Sequence, residues 1–281
     1  MLHRNSIRAI TLAGVMCAAL AGMMATTIST SWAWDDSKYP NFRGQWRTVG
    51  GPGRFARDQV APLTPEYQAI FDKIKGEGGQ GSHENASNFT YLCYSGGMPR
   101  VVNGYGQLEF VIAPTTMHIL VDHIYDNRRI FTDGRPWSDP ITPTLLGTSI
   151  GVWKDTDGDG NYDVLEVETR GFRGPRAYDA TGLPLHRDNK TIIKERYSLD
   201  KNDANQILNE VTVIDSALTR PWTVTKVYRR VPDAHPHWEE ENCPETNTHI
   251  RVGKDDFMIS ADGFLMPTAK GQKPPDLRYF K

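Results

Sequence analysis

The feature that most constrains this chain is a run of short alternating segments joined by turn residues between positions 44 and 230. Eight of them follow one another: Gln107–Ala113, Thr116–His123, Arg128–Thr132, Thr148–Lys154, Tyr162–Thr169, Thr191–Ser198, Gln206–Ile214 and Trp222–Arg230. A ninth, Gly44–Val49, stands ahead of them. Their connections carry Asp126-Asn127, Asp133-Gly134, Asp200-Lys201-Asn202-Asp203 and Thr219-Arg220-Pro221, residue types that turn a chain. Strands this short, linked this tightly, bury their apolar faces against one another as an antiparallel sandwich or a closed barrel. The fold class is mainly β.

Alternation assigns the faces, because successive strand side chains point to opposite sides. In Thr116–His123, Met117, Ile119 and Val121 share the interior with His123, and His118 and Asp122 face out. In Thr191–Ser198, Ile193, Glu195 and Tyr197 share one face, and Ile192, Lys194, Arg196 and Ser198 the other. Glu195 is thus an acid placed to face an interior. One helix is expected over about 64–76: Thr64 caps, Pro65 suits the first turn, and Tyr67, Ile70, Phe71 and Ile74 form one apolar face. Residues 76–92 lack periodicity and read as a flexible loop, and 231–281 read as an irregular tail.

Residues 1–33 have the organisation of a secretory signal: Arg4 and Arg8, an apolar run from Ile10 to Met24, then Ser31 and Ala33 at the −3 and −1 positions of a cleavage site. That run has about 15 residues, short of the roughly 20 that span a membrane. Met16 is a poor fit before Cys17 for a lipid anchor, where a small residue is wanted. Cleavage leaves residues 34–281 as one domain, periplasmic or secreted and not membrane-spanning. Removing Arg4 and Arg8 from 32 basic and 34 acidic residues leaves 30 against 34. A chain this near neutrality has no field to attract nucleic acid. Cys93 and Cys243 remain, and in an oxidising compartment two thiols are most simply one disulfide; the alternative is two unpaired buried thiols.

Two resemblances bear on the fold. Gly44-Gln45-Trp46 on the first strand resembles the Gly-x-Trp of lipocalin-like (calycin) barrels, whose Trp plugs the closed end. A longer series resembles a family of uncharacterised exported proteobacterial proteins. Its pieces are Cys93 with Gly97-Met98-Pro99-Arg100, Arg128 to Arg135, Gly147 to Trp153, Glu168 to Phe172, Glu195-Arg196, Pro221-Trp222, and Glu240 to Glu245. The resemblances imply export and a β-rich, lipocalin-like fold; with the strand, helix and tail signals above, the expectation is one antiparallel barrel of about 8–10 strands, with one N-terminal helix and an irregular C-terminal tail. The family has no established activity, so the reaction stays open. The chain departs from it in having Thr148 and Val152 where members tend to carry His, and in an expanded turn after Trp153.

That turn is the sharpest motif: Asp155-Thr156-Asp157-Gly158-Asp159-Gly160-Asn161-Tyr162-Asp163 through Glu166 matches D-x-[DN]-x-[DN]-G-x5-E. Ca²⁺ takes six to eight oxygens, and alternate Asp side chains supply them while Gly160 permits the sharp bend. Between two strands the loop is a hairpin tip, so Asp155, Asp157, Asp159 and Asp163 are the side-chain ligands and Asn161 offers its carbonyl. The expected cofactor is one structural Ca²⁺, and no organic cofactor is implied. A solvated polar turn is the plainer alternative.

Glu195, Arg196, His186 and Arg135 are the acid–base candidates, three of them falling within the resemblance. A carboxylate in a dry interior has a raised pKa, the state that general-acid work needs. Arg128, His123 and Tyr197 are candidates for holding a ligand. A buried Glu195–Arg ion pair without chemistry and a satisfied core His123 are the alternatives. His235-Pro236-His237 lacks a third ligand at defined spacing for zinc, and Ser149 lacks a nucleophile elbow. Three functions follow: a barrel that binds a small apolar or amphipathic molecule, an acid–base enzyme (hydratase or dehydratase, isomerase, hydrolase) using the lumen, or a structural partner-binding protein.

Overall fold

The computed structural model describes residues 34–50, 54–76, 95–103, 106–122, 127–174, 177–179, 181–233, 235, 237–238, 249–252, 255–260 and 262–273. Every helix and strand in it lies in the compact unit Asp36–Lys281. Residues 1–33, where a leader is expected, His123, and Cys93 and Cys243, with the disulfide expected between them, lie outside the described residues.

Nine strands close into one barrel in chain order: β1 (Gln45–Thr48), β2 (Gln107–Ala113), β3 (Thr116–Val121), β4 (Asn127–Phe131), β5 (Thr148–Lys154), β6 (Val164–Arg170), β7 (Ile192–Leu199), β8 (Gln206–Ile214) and β9 (Trp222–Arg230). Closure is made by β1, which pairs antiparallel with β2 through Trp46 opposite Leu108, and with β9 through Trp46 opposite Arg230. Alternation places Leu108 and Phe110, Met117 and Ile119, Leu165 and Val167, Ile193 and Tyr197, Val211 and Val213, and Trp222 and Val224 inside, all buried.

The barrel is mixed, not antiparallel throughout. β4 and β5 run parallel, with Ile130 opposite Ser149 and Phe131 opposite Ile150. Alternation is the same for both pairings and does not distinguish them. The cause is residues 132–147, too long for a hairpin and carrying Pro136, Pro140 and Pro143, which return the chain so that the next strand starts in the same direction. At the seam Gly151 faces inward, and a Cβ there would lie 2.8 Å from Ile130 Cγ2 and 3.0 Å from Leu165 Cδ1. Glycine lets β4 and β6 side chains close over β5.

The helix α1 (Pro65–Gly76) follows β1 and does not precede the barrel. Thr64 Oγ1 accepts from the Tyr67 amide at 3.4 Å, and the Thr64 amide donates to Ala217 O at 2.8 Å, docking the helix start beside the β8–β9 turn. The same end is packed by Phe55, Tyr178 and Trp222, whose ring centroids lie 5.2–5.4 Å apart. The opposite rim is packed by Phe42 and Trp46, both fully buried. Both ends of the barrel are therefore filled.

The C-terminal region is not wholly irregular. β10 (His249–Val252), β11 (Asp255–Ile259) and β12 (Leu265–Pro267) form a three-stranded antiparallel sheet. The Pro, His and acidic residues around it hide its short alternations. Asp122, expected outside, is buried: β3 ends at Val121, so strand parity no longer governs the next residue.

Candidate functional site

The interior holds a polar network at mid-height. Arg128 on β4 and Glu195 on β7 meet there, with side chains 1% and 0% exposed. Arg128 Nη1 donates to Glu195 Oε1 at 2.9 Å, and Nη2 donates to Oε2. The remaining N–H groups reach Tyr197 OH at 3.2 Å, Thr169 Oγ1 at 2.9 Å and Ser149 Oγ at 3.2 and 3.3 Å. All five guanidinium protons thus have acceptors. Glu195 Oε1 also accepts from Tyr197 OH at 2.7 Å and Asn209 Nδ2 at 3.1 Å.

The electrostatics follow. Burial disfavours the Glu195 charge, but the adjoining Arg128 and the hydrogen bonds outweigh it and hold the carboxyl below its ordinary range. The expected raised pKa is reversed, because the interior is dry but not free of cations. Burial likewise works against the Arg128 charge, and Glu195 more than restores it. Burial and Glu195 push the Tyr197 hydroxyl well up. Glu195 is here an anion saturated by its neighbours, not a proton donor waiting for a substrate.

The other acid–base candidates do not join it. Arg196 is exposed on the outer wall, one residue from Glu195 and on the opposite face. Arg135 is exposed and bound to Asp133, with Nη2–Oδ2 at 2.6 Å and its guanidinium 3.8 Å from the Phe131 ring centroid. That side-chain hydrogen bond lowers the Asp133 pKa to about 2. His186 lies in the β6–β7 connection, its ring 5.1 Å from that of Tyr67 and its Nδ1 2.9 Å from Asp188. Of the ligand-holding candidates, Arg128 and Tyr197 are both spent on Glu195.

The acidic loop is a hairpin tip between β5 and β6. The Asp155, Asp157 and Asp159 carboxylates each bring an oxygen within 4.8 Å of the others, and all three are exposed. The loop is bent by its own side chains. Asp155 accepts from the Gly158 and Gly160 amides at 2.7 and 3.0 Å, and Asp159 accepts from Asn161 at 2.7 Å. Gly160 sits at φ +90°, where a side chain would be strained. Asp163 accepts from the Thr156 amide at 2.7 Å and from its hydroxyl. Burial raises the Asp163 pKa, and these hydrogen bonds more than offset it, keeping the group ionised. The oxygen-only donor set fits a hard cation.

The loop is tied to the segment ahead of β1. The Tyr162 amide donates to Lys38 O at 2.7 Å, and Tyr39 packs its ring 5.1 Å from those of both Trp153 and Tyr162. The same segment forms one wall of an open cleft of about 520 Å³ at the Trp46 rim, lined by Asp36, Tyr39, Asn41, Arg43, Glu109 and Val111. Asp36 and Arg43 form an ion pair there.

Two residues were missed from the sequence. Lys226 on β9 is buried, donating to Asn103 Oδ1 at 2.8 Å and to Phe55 O, with Nζ 4.8 Å from the Phe55 ring centroid. Burial lowers its pKa to about 8 against the opposing pull of Asp179. Its parity with Trp222, Val224 and Tyr228 was the available signal. Arg230, at the end of β9, lays its guanidinium 4.2 Å from the Trp46 ring centroid and donates to Asn41 O at 2.8 Å and to Arg43 O. Only the register of the closed barrel brings it to Trp46.

No known protein family matches the chain, and no curated protein is similar to it. Among the described residues no helix is long and apolar enough to cross a membrane.

Proposed function

We propose that this chain is an exported, lipocalin-like barrel that carries one structural Ca²⁺ at its acidic hairpin tip and binds a small amphipathic molecule at the adjoining rim cleft. Asp155, Asp157, Asp159 and Asp163 would hold the ion through carboxylates, with the Asn161 carbonyl beside them. The ion neutralises carboxylates that otherwise repel one another and stiffens the hairpin. The observation that carries the reading is the Tyr162 to Lys38 hydrogen bond of 2.7 Å, which makes the metal loop the support of the cleft's own wall. The cleft's size falls in the range of roughly 300–1,000 Å³ usual for small-molecule sites. Its lining mixes Tyr39 and Val111 with Asp36, Asn41 and Arg43, which suits an amphipathic ligand.

The saturated lumen supports binding at the rim over transport in the interior. The separation of Glu195, His186, Arg135 and Arg196 supports binding over acid–base catalysis. The leader-like residues 1–33 support export, with Trp34 as the expected first residue of the exported protein and Cys93–Cys243 as its disulfide.

Calorimetry with CaCl₂ tests the metal. We expect a dissociation constant of about 10⁻⁴–10⁻³ M, the range of extracellular modules. Asp157→Ala with Asp159→Ala removes the binding heat. Fluorescence of 8-anilinonaphthalene-1-sulfonate, an amphipathic probe, should rise more steeply with protein in Ca²⁺ than in chelator. No Ca²⁺ heat, or a probe response blind to Ca²⁺, refutes the coupling of loop and cleft.

A further inference from the structure

We propose that the ligand of the rim cleft is a short extended peptide, which adds as a strand to an open edge of β2. The proposal rests on the reading of that cleft as a binding site and names the class of molecule it takes.

β1 covers only the first part of β2. It starts at Gln45, opposite Glu109, and β2 runs on through Phe110, Val111, Ile112 and Ala113. Register fixes where the backbone of this overhang points. The Asp122 amide donates to Gln107 O at 3.2 Å, and inward and outward backbone groups alternate along an antiparallel pair. Gln107, Glu109, Val111 and Ala113 therefore turn their amides and carbonyls to β3, and Leu108, Phe110 and Ile112 turn theirs to the β1 side. A β1 prolonged toward its N-terminus would set Phe42 opposite Ile112. Phe42 is instead engaged within its own segment: its amide donates to Pro40 O and its carbonyl accepts from Trp46 Nε1, both at 2.8 Å. The Asn41 and Arg43 carbonyls are taken by Arg230. Among the described residues the amide and carbonyl of Ile112 thus have no partner.

The cleft lies along this edge. Glu109, Phe110, Val111 and Ile112 all line it. Consecutive strand side chains point to opposite faces, so four lining residues in a row mean that the backbone edge itself is the floor. An acyl chain laid there satisfies neither the amide nor the carbonyl. An extended peptide offers both at every second residue, about 6.8 Å apart, the spacing of Phe110 and Ile112. It is also amphipathic, polar along its backbone and apolar where its side chains are. Val111 beside the edge is 40% exposed, and Tyr39 and Pro40 stand on the facing wall, so apolar side chains find surface on both sides. That wall, from residues 36–44, stands over the edge and admits a single chain, not the edge of another sheet.

The test is calorimetry of the purified full protein in CaCl₂ with acetylated, amidated pentapeptides of alternating valine and threonine. We expect them to bind and to displace 8-anilinonaphthalene-1-sulfonate. N-methylation of the second and fourth peptide residues, or of the third, should weaken binding roughly tenfold in one case and hardly in the other, because only alternate amides face β2. Ile112→Pro removes the edge amide without touching the β2–β3 ladder, and should weaken binding roughly tenfold more than Ile112→Ala, which keeps it. Melting temperatures show whether the proline variant is folded; if it is not, the methylated peptides decide. The probe separates the two readings: probe binding without peptide binding overturns the peptide alone, and absence of both overturns the cleft as well. Equal binding of the two methylated peptides, peptide binding that leaves the probe in place, or a dimer of the protein that Ile112→Pro dissociates also overturns the proposal.

Discussion

Arg128 and Glu195 stand three strands apart in the barrel wall and meet inside it as a two-toothed ion pair, the guanidinium closing on both carboxylate oxygens. Neither is more than 1% exposed. Such a pair contributes little over a well-packed apolar substitute, yet breaking it leaves a charge stranded in a dry interior.

Glu195→Gln and Arg128→Met should each therefore lower stability by about 3–5 kcal/mol, the cost of an uncompensated buried charge. Arg128→Met with Glu195→Leu should cost much less than the two singles together. Urea unfolding of the four proteins measures the coupling. The Glu195 carboxyl is held below its ordinary value, so the pair's contribution is present above about pH 4.3 and is lost as the pH falls toward the native value. Additive single and double variants would show that the pair is no unit.

Much of this geometry was legible. The nine strands fall within a few residues of their sequence positions, and Ile193, Glu195 and Tyr197 share the interior as their alternation says. Arg128 was legible too, since it shares parity with Ile130; what alternation does not encode is which strands lie opposite across a lumen. The β4–β5 pairing was invisible for a related reason: side-chain period is blind to strand direction, and only the length of 132–147 carries it. His186 and Arg135 sit on connections, where no period exists, and their partners Asp188 and Asp133 are two residues away in the chain. Local charge pairing occupies both.

Lys226 adds a pH dependence of the same sign as that of Glu195, in a higher window. Its folded pKa of about 8 lies below the ordinary lysine value, so the native state loses its proton first as pH rises. Below pH 8 the charge is carried in both states and its burial is a cost. Between about pH 8 and 10.4 that cost, of order 3 kcal/mol, is relieved. The wild type should gain stability across this window relative to Lys226→Met. Parallel pH profiles for the two proteins would exclude Lys226 as the source.

Chelator should leave the barrel standing. The acidic loop projects from β5 and β6, whose own ladder runs over seven register pairs without it. We expect far-ultraviolet circular dichroism to be unchanged in EDTA, and the melting temperature to fall only to the metal-free value. Collapse of the β signal in chelator would make the ion a folding requirement and not a local clamp.

Gly151→Ala probes the parallel seam. The added methyl meets Ile130 and Leu165 closer than van der Waals contact allows, so overpacking should cost about 1–3 kcal/mol. Ile130→Val in the same chain should recover part of the loss. A variant as stable as the wild type would mean that β4 and β5 have slack at their join.

The thin join between those strands has a consequence for the wall as a whole. β4 and β5 share two register pairs and β1 shares three with each of its neighbours, β2 and β9, while β5 to β9 are bonded to one another through six to eight. The wall is thus dense from β5 to β9 and sparse at the β4–β5 join and on both sides of β1. At β1 Arg230 clasps Trp46 and the carbonyls ahead of the strand. Across the β4–β5 join Arg128 reaches from β4 to Ser149 on β5, Thr169 on β6 and Glu195 and Tyr197 on β7. These charges so act as rivets where the backbone ladder is sparse. Breathing of this tube should begin at the β4–β5 join and around β1, with the Arg128 network setting how far β4 parts from β5.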